Sequence, residues 1–168
     1  MKGARCAVIA IALAAACSDG ALAQDPGTLA ASAPADAIAL GAGPTEITLI
    51  APGGNSVAAQ LRGAAGRQIY LTFMRAQALT APATTYNVYL GLPGGVAPEG
   101  TSDPRYVGTL NFFNAASGRP SDISLNITPH AVRLSAETGD TIRVTIVPAG
   151  AAPEADAPKI GGVRITAR

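Results

Sequence analysis

Apolar and polar residues alternate along most of the chain from residue 45 onward. In TEITLIA (45–51), Ile47 and Leu49 fall on one side and Thr48 on the other. RQIYLTFMR (67–75) gathers Ile69, Leu71 and Phe73; TTYNVYLGL (84–92) gathers Tyr86, Val88 and Leu90, with Thr85, Asn87 and Tyr89 opposite. DISLNIT (122–128) turns Ile123, Leu125 and Ile127 inward, and TIRVTIV (141–147) does the same with Ile142, Val144 and Ile146. RYVGTLNFF (105–113) is apolar on both faces, which predicts a central strand, and VAAQLR (57–62) is a weaker strand candidate. KIGGVRITA (159–167) is interrupted by Gly161-Gly162, which predicts a bulge. Side chains of a strand point alternately to the two sides of its sheet, so one apolar face means a sheet covered on one side.

The stretches between these segments hold Gly, Pro, Asp and Asn, too short and too rich in breakers for helical crossovers. About seven or eight such segments predict an all-β fold: an antiparallel two-sheet β-sandwich, jelly-roll-like or immunoglobulin-like. A single helical turn is expected at Thr128-Pro129-His130-Ala131, where threonine caps and proline occupies the first helical position.

The first 43 residues read differently. Lys2 and Arg5 precede an apolar run (7–16) too short to span a bilayer, and Ala21-Leu22-Ala23 offers a small-residue cleavage site. Residues 1–23 are therefore expected to be an export signal cut after Ala23, which implies a periplasmic or secreted protein. Ala14-Ala15-Ala16-Cys17 also resembles a lipoprotein box, although Ala14 stands where a large aliphatic residue is usual. Lipidation of Cys17 and a membrane anchor are the alternative. Residues 24–43, rich in Ala, Pro and Gly, predict a flexible tether, and 44–168 the sandwich domain.

Cleavage after Ala23 removes Cys6 and Cys17, the two cysteines of the sequence. A disulfide framework, a thiol nucleophile and a thiolate metal site go with them. It also removes Lys2, Arg5 and Asp19, leaving ten basic and ten acidic residues of the original twelve and eleven. That balance offers no footprint for nucleic acid. No later segment is apolar enough to predict a transmembrane span.

Catalytic chemistry is not evident. His130 is the one histidine, and a catalytic zinc site usually takes three protein ligands. Beside a proline at a turn, it reads as a surface or capping residue. No HExxH or GxSxG occurs, and Pro52-Gly53-Gly54 and Pro93-Gly94-Gly95 lack the Lys-Ser/Thr of a phosphate loop. Asp103, Asp122, Asp140, Glu154 and Asp156 fall in loops and build no recognised calcium motif or inward carboxylate pair. No cofactor is expected. Tyr70, Tyr86, Tyr89, Tyr106, Phe112 and Phe113 remain, in a chain without tryptophan. Tyr86 and Tyr89 face opposite sides of one strand, as do Phe112 and Phe113, so packing claims one of each pair.

TYNVYLGLPGG (85–95), PRYVGTLNFFNAA (104–116) and ISLNITPHAVRLSAETGDTIRVTIVP (123–148) resemble the C-terminal β-sandwich domain of bacterial tyrosinase-like and polyphenol oxidase proteins. In that family the sandwich sits beside a helical copper domain, whose six histidines bind a type-3 copper centre, and can cover its entrance. With His130 alone, the resemblance implies the accessory sandwich without the oxidase activity. It implies a non-catalytic module that binds or shields a partner, such as a separately encoded copper oxidase or another envelope protein. Tyr89, Tyr106 and Phe113 are the candidate contact residues by type. A structural or adhesive envelope protein or lipoprotein is the alternative.

Overall fold

The alternating segments become strands in the computed structural model, which describes residues 27–34, 37–115, 119–151 and 156–168. The expected export signal, its expected cleavage point at Ala23, and Cys17 lie outside the described residues. In chain order the elements are β1 (Thr28–Ser32), β2 (Ile38–Ala39), β3 (Thr45–Ile50), α1 (Val57–Gly63), β4 (Ile69–Ala76) and β5 (Tyr86–Leu90). They continue with β6 (Tyr106–Leu110), β7 (Ser121–Asn126), α2 (Ala131–Glu137), β8 (Thr141–Pro148), β9 (Lys159–Ile160) and β10 (Gly162–Ala167).

Eight strands form one antiparallel ladder in the order β6-β5-β8-β3-β1-β10-β4-β7, and β2 pairs with β9 in a short ribbon. The all-β antiparallel expectation holds. The two layers are the halves of a single curled sheet, nearly closed where edge strands β6 and β7 approach one another. Gly108 lies at that seam with φ 153°, and a Cβ there would stand 3.1 Å from Leu125 Cδ1. The inward residues of the alternation line one core: Leu49, Leu71, Phe73, Val88, Leu90, Val144 and Ile165 are fully buried.

Four sequence expectations change. Residues 28–32, expected in the tether, form β1 in the middle of the ladder, between β3 and β10. Leu29 and Ala30 are buried there. Leu40 is held as well: its N–H donates to Pro158 O at 2.8 Å, and its carbonyl accepts from the Tyr86 hydroxyl at 3.1 Å. Alanine-rich sequence can fill a central strand when its neighbours supply the bulk. VAAQLR is helical: Val57, Ala58 and Leu61 share the buried side, and Ala, Gln, Leu and Arg are strong helix formers. β6 is an edge strand, hydrogen-bonded to β5 alone, and β7 approaches its open edge without pairing with it. At Gly161 the strand breaks, and the chain passes from the β2-β9 ribbon into the ladder.

The turn at Thr128–His130 is present and runs on into α2. Pro129 sits in its first turn as expected, but the Thr128 Oγ1 caps nothing; it accepts the Ile69 N–H at 2.8 Å. α1 and α2 pack together at this end of the molecule, where Arg62 donates to Ser135 O at 3.0 Å.

Candidate functional site

Strand register decides which loops share an end. Tyr86 opens β5 and pairs with Leu110 at the end of β6 and with Pro148 at the end of β8. Ala76, closing β4, pairs with Ser121, opening β7. The segments following β4, β6 and β8 therefore leave from one end, opposite the two helices. Ala78 N–H donates to Ala115 O at 3.0 Å, which stitches the first two of them together.

Phe113 lies in this stitched region, on the 3-10 turn Phe113–Ala115, and is 70% exposed. Its neighbour Phe112 is buried and meets the Tyr86 ring edge-on at 5.9 Å. The pair diverges as alternation requires. Leu79, beside the stitching Ala78, is 73% exposed. Sequence reasoning missed Leu79, an isolated leucine in a Pro/Ala loop with no period to flag it. Next to it, two adjoining hollows of about 370 Å³ and about 220 Å³ share Gln77 and Lys159 in their walls.

The other two candidate contact residues, Tyr89 and Tyr106, lie away from this end. Tyr89 faces the outer side of β5, yet it is 1% exposed. Residues 91–105 fold back along that side. Arg143 of β8 donates to Leu92 O at 3.3 Å, and a Cβ on Gly94 would sit 2.8 Å from the Arg143 guanidinium. Burial pushes the Tyr89 hydroxyl pKa up; a hydrogen bond from Asn87 opposes this, and the charges of Asp103 and Tyr106 add to it. Tyr106 is half-buried, packs at 5.8 Å against the Tyr89 ring, and shares its hydroxyl with Thr109 Oγ1 at 2.7 Å. Thr109 in turn donates to Asn87 Oδ1 at 3.0 Å. Phe113 is thus the most exposed of the three candidates, while buried Tyr89 and half-buried Tyr106 share a polar-aromatic network near the opposite end.

His130 stands at the helix end, half-buried, before α2. Burial, then the positive charge of Arg133, lowers its imidazole pKa below the ordinary value. Among the described residues no three or more His, Cys, Asp or Glu side chains gather as metal ligands. A coupled copper pair needs several imidazoles, so this donor set does not fit one. Among the described residues no helix is long and apolar enough to cross a membrane.

Solved structures share this nearly closed antiparallel sandwich. The chain superposes on recombinant latent aurone synthase, a polyphenol oxidase, with a TM-score of 0.53 and 13% identity, over 78% of this chain and 25% of that one. Latent apple tyrosinase gives a TM-score of 0.52 at 20% identity, over 77% of this chain and 26% of the other. This chain thus has the fold of a part of polyphenol oxidases and spans about a quarter of their length. The resemblance read from the sequence is borne out at the level of fold. No protein-family model and no characterised protein matches by sequence.

Proposed function

We propose that this protein is an exported, non-catalytic sandwich module that binds and shields a partner protein through its Phe113–Leu79 end. The partner that fits the shared fold best is a separately encoded type-3 copper oxidase; another envelope protein is the wider class. The solved neighbours are latent forms of their enzymes, and the shared fold makes up only part of each. A module with that fold and no copper ligand set of its own suits cover better than turnover. The mechanism is steric: an exposed aromatic and a leucine seat against an apolar rim and displace water from it. The module works in the periplasm or outside the cell, released by cleavage after Ala23 or held through a lipidated Cys17.

The carrying observation is the exposure of Phe113 (70%) and of Leu79 (73%) on two loops joined by a backbone hydrogen bond. Adding the purified protein to the type-3 copper oxidase of its own organism tests the reading. Retention of the oxidase on the immobilised protein, with slowed oxidase turnover, supports it. Absence of both, or both unchanged in Phe113→Asp, overturns it.

A further inference from the structure

The two hollows beside Leu79 differ in character, and their shared wall is unusual. Gln77 and Lys159 face one another as an isolated antiparallel pair, exchanging N–H to carbonyl bonds of 2.9 Å in both directions. Directly opposed residues of such a pair carry their side chains on the same side. Among the described residues, neither the Gln77 carboxamide nor the Lys159 ammonium makes a hydrogen bond or ion pair. The smaller hollow adds Arg75, with Pro120 and Gly161 beside it. The larger adds Ala39, Ala78, Leu79 and Ala157, which are apolar, and Asp156.

Arg75 is held there at a conformational cost. Its φ is 51°, in the left-handed region that non-glycine residues rarely occupy, at the register shift between Phe73 and Ala76 of β4. Its N–H donates to Asp122 Oδ1 at 2.9 Å. Its guanidinium lies so close over Gly161 that a Cβ there would come within 2.7 Å of Nη2. Backbone strain at Arg75 and a missing Cβ at Gly161 together set a cation in the wall of the smaller hollow.

We infer that the adjoining hollows form a ligand site for a monoanionic carboxylate with an apolar body. The carboxylate accepts from the Lys159 ammonium and the Gln77 amide, with the Arg75 charge nearby, and the body lies over Ala39, Ala78, Leu79 and Ala157. Charge-assisted bonds of this kind fix orientation, and the apolar walls add burial. Asp156 on the wall of the larger hollow repels a second negative charge, which limits the ligand to one. Two sources supply this chemistry: a free small carboxylic acid, or the C-terminal carboxylate of a polypeptide ending in an aliphatic residue. The inference shares Leu79 with the partner reading but does not depend on it: its polar contacts are Lys159 and Gln77, and its test leaves Phe113 untouched.

Amide-resolved titration of the purified protein tests it, with hexanoate, hexanol and inorganic phosphate as probes. Hexanoate is expected to move the Gln77, Ala78 and Lys159 resonances saturably, and hexanol and phosphate to bind about tenfold more weakly or less. Lys159→Met is expected to weaken hexanoate about fivefold or more, with the remaining spectrum still dispersed. If that variant loses dispersion, Gln77→Leu gives the same reading with both charges intact. Equal response to hexanol or to phosphate, or hexanoate binding untouched by these substitutions, overturns the proposal. A peptide ending in Ala-Leu and its C-terminal amide separate the sources. Tighter binding of the free peptide than of hexanoate assigns a polypeptide terminus, and equal binding a small acid, each within the proposed chemistry.

Discussion

Phe112 and Phe113 are adjacent, identical in type and opposite in circumstance, which makes them a direct test of burial. Phe112 is 1% exposed against Tyr86, so Phe112→Ala is expected to cost about 3–5 kcal/mol of stability. Phe113→Ala, losing little packing in the free protein, is expected to change it by less than about 0.5 kcal/mol. Urea unfolding of both variants checks this, and equal losses would mean that Phe113 is buried in solution. Alternation alone separates two such residues but does not say which one leaves the core. Tyr89 shows the same limit. Its outward direction is legible in the alternation, while its burial follows from residues 91–105 folding over it, a tertiary event without local signal. His130 carries a pH dependence whose sign follows from its lowered pKa. Its folded value lies below the unfolded value of about 6.5, so its contribution is complete above that pH and is lost as pH falls through the folded value. His130→Gln is therefore expected to flatten the decline in stability on the acid side of neutrality, measured by thermal unfolding across that range. An unchanged decline would assign it to other groups.

At the scale of elements, strands with one clean apolar face are the legible part. β3, β4, β5, β7 and β8 fall where the period of two puts them, because burial on one side leaves its mark on every second residue. α1 escapes the pattern because its run of Val, Ala and Leu is too short to declare a period, and its helix propensity acts together with its packing on α2. The position of β6 at the edge is hidden for a related reason. Tyr106, Val107 and Thr109 stay half-buried at the edge, and the sequence of such a strand reads the same as that of a central one. That seam makes its own prediction. Gly108 has φ 153° and faces the Leu125 side chain, whereas Gly139 has ordinary backbone and open space around its missing Cβ. Gly108→Ala is expected to cost about 1–3 kcal/mol, chiefly through backbone strain, because the ends of Leu125 can shift by a few tenths of an ångström. Gly139→Ala is expected to be neutral or slightly stabilising. Chemical denaturation of the two variants decides it, and a neutral Gly108→Ala would mean that the seam is wider in solution.

For the whole molecule, the largest departure from the sequence reading is the place of β1, and it yields the sharpest prediction. TLAAS contains one large apolar residue, so its composition matches a linker, yet it fills the gap between β3 and β10 that would otherwise divide the ladder. A central strand is stabilised by hydrogen bonds on both sides, and losing it strands two rows of backbone groups together with the core above them. A chain beginning at Gly27 is therefore expected to unfold cooperatively, at the same midpoint as the chain cleaved after Ala23. A chain beginning at Pro34, lacking all of β1, is expected to show no cooperative transition and to aggregate. Circular dichroism through a thermal ramp distinguishes the two, and a cooperative transition in the shorter chain would show that β1 is dispensable. The same strand sets the polarity of the molecule. It enters at the helix end, where Ala167 N–H donates to Gly27 O at 2.8 Å, and runs toward the end that bears Leu79 and Phe113.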